Sequence, residues 1–219
     1  DELKKYKVIV CDPPTFASSG AADRCAGGAL EWVQSTYAGV DALLTLSTYR
    51  GYAVTRLAGV FGQAMAEYCM MHILAQERQM LRDVRRQQGR EWGVHGAVAQ
   101  AGYRTVDTLV LGVLGMGDIG RRVAEVGAAF GMTVWACTRR GGGGGGDGSR
   151  DGEATASFVS RTFGTGDEEL RAFLGGCDYL VNLLPSTAET RGLLSASRLS
   201  WCKRLEQSAH GEEDGGEGR

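Results

Sequence analysis

Apolar positions fall into short continuous runs at some places in this chain and recur at helical spacing at others. Tyr6-Lys7-Val8-Ile9-Val10-Cys11 is a β-branched run halted by Asp12-Pro13-Pro14, which predicts a short strand feeding a turn. Glu31-Trp32-Val33-Gln34-Ser35-Thr36 predicts a second strand, closed by Tyr37-Ala38-Gly39-Val40-Asp41. From Val60 to about Gln88 the spacing is helical. Between Phe61 and Ala75 this helix is apolar nearly all round, which predicts burial on more than one side. Beyond Gln76 it turns charged and amphipathic around Met80, Leu81 and Val84, as a helix bridging two units would. Trp92 to Thr108 is irregular and reads as a hinge.

The clearest unit follows. Leu109-Val110-Leu111-Gly112-Val113-Leu114 is an unbroken apolar run, the pattern of a parallel strand covered on both faces. A helix is predicted from about Asp118 to Phe130, stopped by Gly131, and Thr133-Val134-Trp135-Ala136-Cys137 is the next strand. That is a βαβ unit. Gly141 to Gly152 is low-complexity and reads as a flexible loop. Phe158 to Phe163 adds a short strand, and Asp167-Glu168-Glu169-Leu170 opens a helix with acids in its first turn. Tyr179-Leu180-Val181-Asn182-Leu183-Leu184 is a further parallel-type strand ended by Pro185. From Ala196 the pattern decays, and Glu206 to Arg219 is acidic and glycine-rich, as a structureless tail would be.

Between the first strand and helix of the βαβ unit stands Gly115-Met116-Gly117-Asp118-Ile119-Gly120. A lone G-x-G-x-x-G is weak, but here it leaves a strand and opens a helix, the context that gives it meaning. Gly115 permits the tight turn, Gly117 lets the backbone approach a pyrophosphate, and Gly120 allows helix to pack on strand. Asp118 and Ile119 then lie at a helix N-terminus whose amides and partial positive charge suit phosphate. About 20 residues past this turn an acid would bind the 2′-hydroxyl of NAD. The chain has Thr138, Arg139 and Arg140 there instead. Two guanidinium groups and a hydroxyl suit a 2′-phosphate, so NADP(H) is favoured over NAD(H).

Composition narrows the partners. In 219 residues the formal net charge is −2, which gives no electrostatic reason to expect nucleic acid or an anionic membrane. Arg82, Arg85 and Arg86 sit at helical spacing as a solvated face. No apolar stretch has the length of a membrane span. The charged N-terminus shows no signal peptide and six cysteines form no C-x-x-C pair, so free thiols, no metal ligands and a cytoplasmic setting are expected.

Gly39-Val40-Asp41 after a strand, Gly62-Gln63-Ala64-Met65-Ala66-Glu67-Tyr68 in the long helix, the turn from Gly115 to Gly120, and Asn182-Leu183-Leu184-Pro185-Ser186-Thr187-Ala188-Glu189-Thr190-Arg191-Gly192-Leu193-Leu194 occur in order. Together they resemble the D-isomer-specific 2-hydroxyacid dehydrogenases, of the glyoxylate/hydroxypyruvate reductase branch, over roughly residues 6–195. The resemblance implies an α/β fold: an incomplete doubly wound (Rossmann) parallel sheet over 101–195, and a partial flavodoxin-like substrate domain over 1–100 that includes the linking helix 60–88. A divergent tail would fill 196–219. It also implies hydride transfer between a nicotinamide and C2 of a small 2-keto or 2-hydroxy acid, and a homodimer for intact relatives. Backbone amides around Ala38, Gly39 and Val40 would hold the substrate carboxylate. Leu184, Pro185 and Thr190 would line the nicotinamide side.

The resemblance stops short of the chemistry. The family's Arg, Glu and His lie beyond the position of Leu194, where this chain reads Ser195-Ala196-Ser197-Arg198-Leu199-Ser200-Trp201-Cys202-Lys203-Arg204. His72 reads as a packed core or interface residue, His95 lies in the hinge and His210 in the tail, so no catalytic residue is assigned. The expectation is a C-terminally truncated relative that binds dinucleotide and catalyses little. The alternative is a non-catalytic subunit that pairs with a full-length paralogue. Counting three strands in the second unit also leaves Leu109 to Leu114 as an exposed apolar edge.

Overall fold

The computed structural model describes residues 2–44, 46, 51–92, 103–139, 141 and 157–203. Its first unit is a parallel sheet of β1 (Val8–Cys11), β2 (Trp32–Ser35) and β3 (Ala53–Thr55), in that order. Val33 stands opposite Ile9 and Val54 in the two ladders. Asp12 ends β1 and caps α1 (Pro13–Ser18), its carboxylate accepting from the Thr15 amide at 2.9 Å, with Pro13 and Pro14 where a missing N–H costs nothing. With α2 (Ala21–Cys25) and α3 (Asp41–Leu44), this helix covers one face of the sheet. Phe16, Ala22, Cys25, Val33 and Leu43 form the core there. On the other face Val8, Val10 and Trp32 are exposed. Strand β3 had no reading in the sequence, because three residues are too few to show a period.

The second unit is a four-stranded parallel sheet, β4 (Val110–Leu114), β5 (Thr133–Cys137), β6 (Arg161–Phe163) and β7 (Tyr179–Asn182), in the order β6-β5-β4-β7. The expected exposed edge at Leu109–Leu114 is therefore corrected: β4 is central, paired with β5 on one side and β7 on the other. The short β6 makes the difference. It is the third strand of the unit, so Tyr179–Asn182 is the fourth and crosses back beside β4.

Leu111 and Val113 pack with Val123 and Ala124 of α6 (Asp118–Ala129), while Leu114 packs with Leu170, Phe173 and Leu174 of α7 (Asp167–Gly176). Gly112 has no room for a side chain: a Cβ there would lie 3.0 Å from the Phe173 ring and collide with the Cys177 sulfur.

The helix expected over 60–88 is two helices, α4 (Gly62–Glu77) and α5 (Met80–Gln88), separated at Gln79 with φ 50° and ψ 38°. Nor is α4 buried all round. Ala66, Met70 and Ile73 share a core with Leu109, Leu111 and Val113, whereas Tyr68 and Met71 are 57% and 54% exposed. His72, expected in the core or at an interface, is not in the core: it is exposed, with its ring 4.5 Å from Tyr68 and edge-on to it. Of the predicted arginine face, Arg82 is half-buried and reaches the Tyr103 hydroxyl at 3.3 Å.

Residues 196–203, expected to start the tail, form α8 (Ala196–Leu199) and pack Trp201 and Cys202 beside Leu174 and Cys177. Ser195 caps α8 by accepting from the Arg198 amide at 3.3 Å. All six cysteines are free. Most of the hinge at 93–102, the glycine-rich stretch beyond Gly141, His95, His210 and the tail from 204 lie outside the described residues.

Candidate functional site

Three segments meet at the carboxyl edge of the second sheet. The Gly115 amide donates to the Cys137 carbonyl at 3.0 Å, joining the turn after β4 to the end of β5. The Leu183 amide donates to the Leu114 carbonyl at 2.9 Å, joining β4 to the end of β7. Gly115 has φ +101°, a conformation L side chains rarely adopt, and a Cβ there would press on Leu183 and on the Leu184 side chain at 3.3 Å. At Gly120 a Cβ would collide with the Gly115 carbonyl oxygen, so strand, turn and helix close to backbone contact there. Gly117 is different. Nothing lies within 4 Å of its Cβ position, and its φ of −73° suits any residue. Of the three glycines in this turn, only Gly117 faces open space.

Asp118 is the first residue of α6 and is exposed, while Ile119 turns its side chain into the core beneath β4. What Ile119 offers outward is its backbone amide, one of the N–H groups that a helix start leaves without helical partners. No side chain caps this helix.

At the end of β5 the Thr138 amide donates to the Phe163 carbonyl at 2.9 Å, and the exposed Arg139 follows. Arg140 lies outside the described residues. After β7 the Leu184 amide donates to Asn182 Oδ1 at 3.2 Å. Thr190 closes the loop: its hydroxyl takes the Thr187 amide at 2.9 Å and donates to the Pro185 carbonyl. Arg191 is exposed in the turn that follows.

In the first unit Ala38, Gly39 and Val40 form the bend between β2 and α3, with Gly39 exposed and only Asp41 Oδ2, at 3.6 Å, near its Cβ position. Ser35 Oγ fixes the approach to this bend by donating to the Tyr37 carbonyl and accepting from its amide, at 2.8 and 2.9 Å. The Tyr37 hydroxyl hydrogen-bonds Asp12 and, with the Thr15 amide, holds that carboxyl below its ordinary range. Sequence reasoning missed Arg56, whose Nη1 donates to the Ala38 carbonyl at 3.3 Å. It follows the unread β3 and lies 18 positions from Ala38, so no local pattern pointed to it.

An ionic clasp sits at the opposite, amino edge of the second sheet. Glu77 is 5% exposed and accepts from Arg104 and from the Tyr179 hydroxyl, while Asp178 accepts from Arg104, Lys203 and the Val110 amide. Burial pushes both carboxyls up, but these hydrogen bonds and neighbouring cations outweigh it and leave both below the usual range. Burial and the Glu77 carboxylate push the Tyr179 hydroxyl up. Among the described residues no group of three or more His, Cys, Asp or Glu could hold a metal, and no helix is long and apolar enough to cross a membrane.

A glycine turn, a basic segment and a proline-ended loop gathered where the strand order reverses beside β4 define a dinucleotide-binding α/β protein of the doubly wound class. Residues 70–206 match the family model described as D-isomer specific 2-hydroxyacid dehydrogenase, NAD binding domain, and the chain belongs to that family. A glyoxylate/hydroxypyruvate reductase A of Serratia proteamaculans is 32% identical over 177 residues, covering 77% of this chain and 50% of the relative.

A family structure from Aeromonas salmonicida superposes with TM-score 0.72 at 32% identity, over 92% of this chain and 57% of that one. An NADPH-dependent glyoxylate/hydroxypyruvate reductase from Sinorhizobium meliloti, in complex with NADP and sulfate, gives TM-score 0.67 at 27% identity, over 90% and 54%. The chain thus spans about half the length of the relatives it matches.

Proposed function

We propose that this chain carries the NADP(H)-binding part and a portion of the substrate-binding part of a 2-keto acid reductase of the glyoxylate/hydroxypyruvate type. The observation that carries this reading is the meeting of Gly115–Gly120, Thr138–Arg139 and Leu184–Thr190 at one sheet edge. When bound, the nicotinamide cofactor supplies hydride to C2 of the keto acid. Amides at Gly117, Asp118 and Ile119 would hold the diphosphate, with the α6 dipole favouring its charge. Thr138, Arg139 and Arg140 would take the 2′-phosphate, and Leu184, Pro185 and Thr190 would wall the nicotinamide side. Ala38, Gly39 and Val40 would receive the carboxylate of a small 2-keto acid, with Arg56 adding a cation beside them. The division into a substrate part over 1–100 and a dinucleotide part over 101–195 belongs to this reading, although α4 packs its buried side into the second core.

Reduction also needs a proton donor for the nascent alkoxide. His72, the imidazole among the described residues, lies on the exposed side of α4 against Tyr68, ten residues along that helix from Gly62. We therefore expect the 219-residue chain to bind NADPH more tightly than NADH, yet to reduce glyoxylate or hydroxypyruvate only slowly. Turnover on the order of 10 per second, an ordinary enzyme rate, would overturn the second statement. Equal affinity for the two cofactors would overturn the first. Free thiols in all six cysteines support a reducing, cytoplasmic setting.

The exposed Tyr68, Met71, Met80 and Leu81 on α4 and α5 favour a second reading, in which this face pairs with another copy or with a full-length relative. Mixing the chain with such a relative and measuring sedimentation separates the cases. A mixed species supports a regulatory subunit, a single homodimer supports the family's own pairing, and monomer throughout rejects both.

A further inference from the structure

The segment proposed above to read the ribose end of the cofactor is tied down by a residue that the sequence offered only as an acid in the first turn of a helix. Two hydrogen bonds join the end of β5 to the end of β6, and a third closes the turn after β5. Thr138 donates its amide to the Phe163 carbonyl at 2.9 Å, Cys137 Sγ donates to the Gly164 carbonyl at 3.3 Å, and the Gly141 amide returns to the Thr138 carbonyl at 3.3 Å. Gly141, at φ +66°, and Gly164 then lie back to back: a Cβ on Gly141 would stand 3.2 Å from the Gly164 nitrogen. Into this junction reaches the carboxylate of Glu169, from the first turn of α7, to accept from the Gly164 amide. The same oxygen lies 3.2 Å from the Gly141 Cβ position and 2.5 Å from that of Gly164. One carboxylate thus fills the space that side chains on two segments would need, and both segments carry glycine. Gly164 is buried, so its amide requires an acceptor from the protein.

We infer that Glu169 is a positioning residue for cofactor choice: by holding Gly164 beneath Thr138 and Gly141, it fixes the turn that presents Thr138 and Arg139 to the ribose 2′-phosphate. This rests on the NADP(H) reading above. A flexible turn bearing a cation still attracts phosphate, but holding it in place removes the ordering cost from each binding event. The turn meets only the 2′ end of the cofactor. Its loosening therefore weakens NADPH and spares NADH.

The test titrates the full 219-residue chain with NADPH and with NADH, as the parent and as E169A, E169D and E169Q. E169D keeps the charge and loses reach, whereas E169Q keeps an acceptor oxygen at full reach and loses the charge. Both E169A and E169D should weaken NADPH about tenfold, the worth of one charge-assisted hydrogen bond, and leave NADH within about twofold. E169Q should stay within about threefold of the parent for both cofactors.

Equal weakening of both cofactors in E169D would show a merely structural role and overturn the inference. Tighter NADPH binding in E169Q would overturn it as well, because Glu169 would then be repelling the phosphate. If E169A does not fold, the E169D and E169Q pair still decides. A parent chain that binds NADH as tightly as NADPH overturns the cofactor reading and this inference together. A parent that discriminates, with E169D discriminating equally, overturns this inference alone.

Discussion

Within one turn of six residues, the three glycines do physically different work. Gly115 is required by its backbone angle and Gly120 by contact with the Gly115 carbonyl, so a side chain at either disturbs the fold. Gly117 has open space, and G117V should fold normally. It should nevertheless weaken NADPH binding by about tenfold or more, because the added methyls occupy the diphosphate's approach. Unchanged titration in a soluble G117V protein would remove the foundation of the proposed function.

Asp118 is next to it. An acid in the first turn of α6 stabilises the helix by about 0.3–1 kcal/mol. A carboxylate one helical turn from a bound phosphate, with an effective dielectric near 20, would repel it by about 2 kcal/mol before salt screening. The second effect is larger, so D118N should tighten NADPH binding about three- to tenfold at low ionic strength. The gain should shrink as salt is added, and calorimetric titration at two salt concentrations checks it.

At the scale of elements, β4 organises the second unit. Leu111 and Val113 face α6 and α4, and Leu114 faces α7, so both faces of one strand are closed. G112V would drive a branched side chain into Phe173 and Cys177, at a cost of about 3 kcal/mol. For a chain of this size that is roughly 6–12 °C in Tm, measurable by thermal denaturation. An unchanged Tm would mean that α7 can move off the strand.

This face-to-face burial is why β4, α6 and β5 were readable: continuous apolar runs and a glycine turn are local signals. Strand β6 was readable as an element but not by its consequence, since only its pairing beyond β5 makes β7 the fourth strand and β4 central. The break at Gln79 carries no glycine or proline to announce it, and α4 and α5 read as one helix. The glycine turn and the loop after Pro185 could be nominated from sequence as candidate site residues because each is contiguous. Arg56 could not, because it acts on a backbone atom 18 positions away, and Glu169 could not, because only the pairing of β5 with β6 brings Gly141 beside the Gly164 amide it holds.

Across the whole molecule, the candidate cofactor site and the ionic clasp occupy opposite edges of one sheet. Glu77, Arg104, Asp178, Tyr179 and Lys203 hold the amino edge, far along the strands from the glycine turn. Both carboxyls titrate lower in the folded chain than their ordinary values of 4.5 and 3.8, so their contribution is complete above about pH 5. It is lost as pH falls through the folded pKa values. The urea midpoint should therefore drop on acidification below pH 5, and E77Q should both destabilise the chain at pH 7 by about 3 kcal/mol, seen as a lower midpoint, and flatten that acid slope. An E77Q protein with the parent's full acid sensitivity would place the titration elsewhere.

The free thiols carry a separate consequence. Burial pushes the Cys137 and Cys177 thiols up to about 12, and that of the buried Cys25 up as well. At neutral pH an alkylating reagent meets a reactive sulfur at these positions chiefly when the surrounding structure opens. The chain thus contains native clocks for two separate sheets. Mass-spectrometric labelling rates would time the opening of each, and NADPH should slow the clock at Cys137 and Cys177 while leaving that at Cys25 running at its former pace.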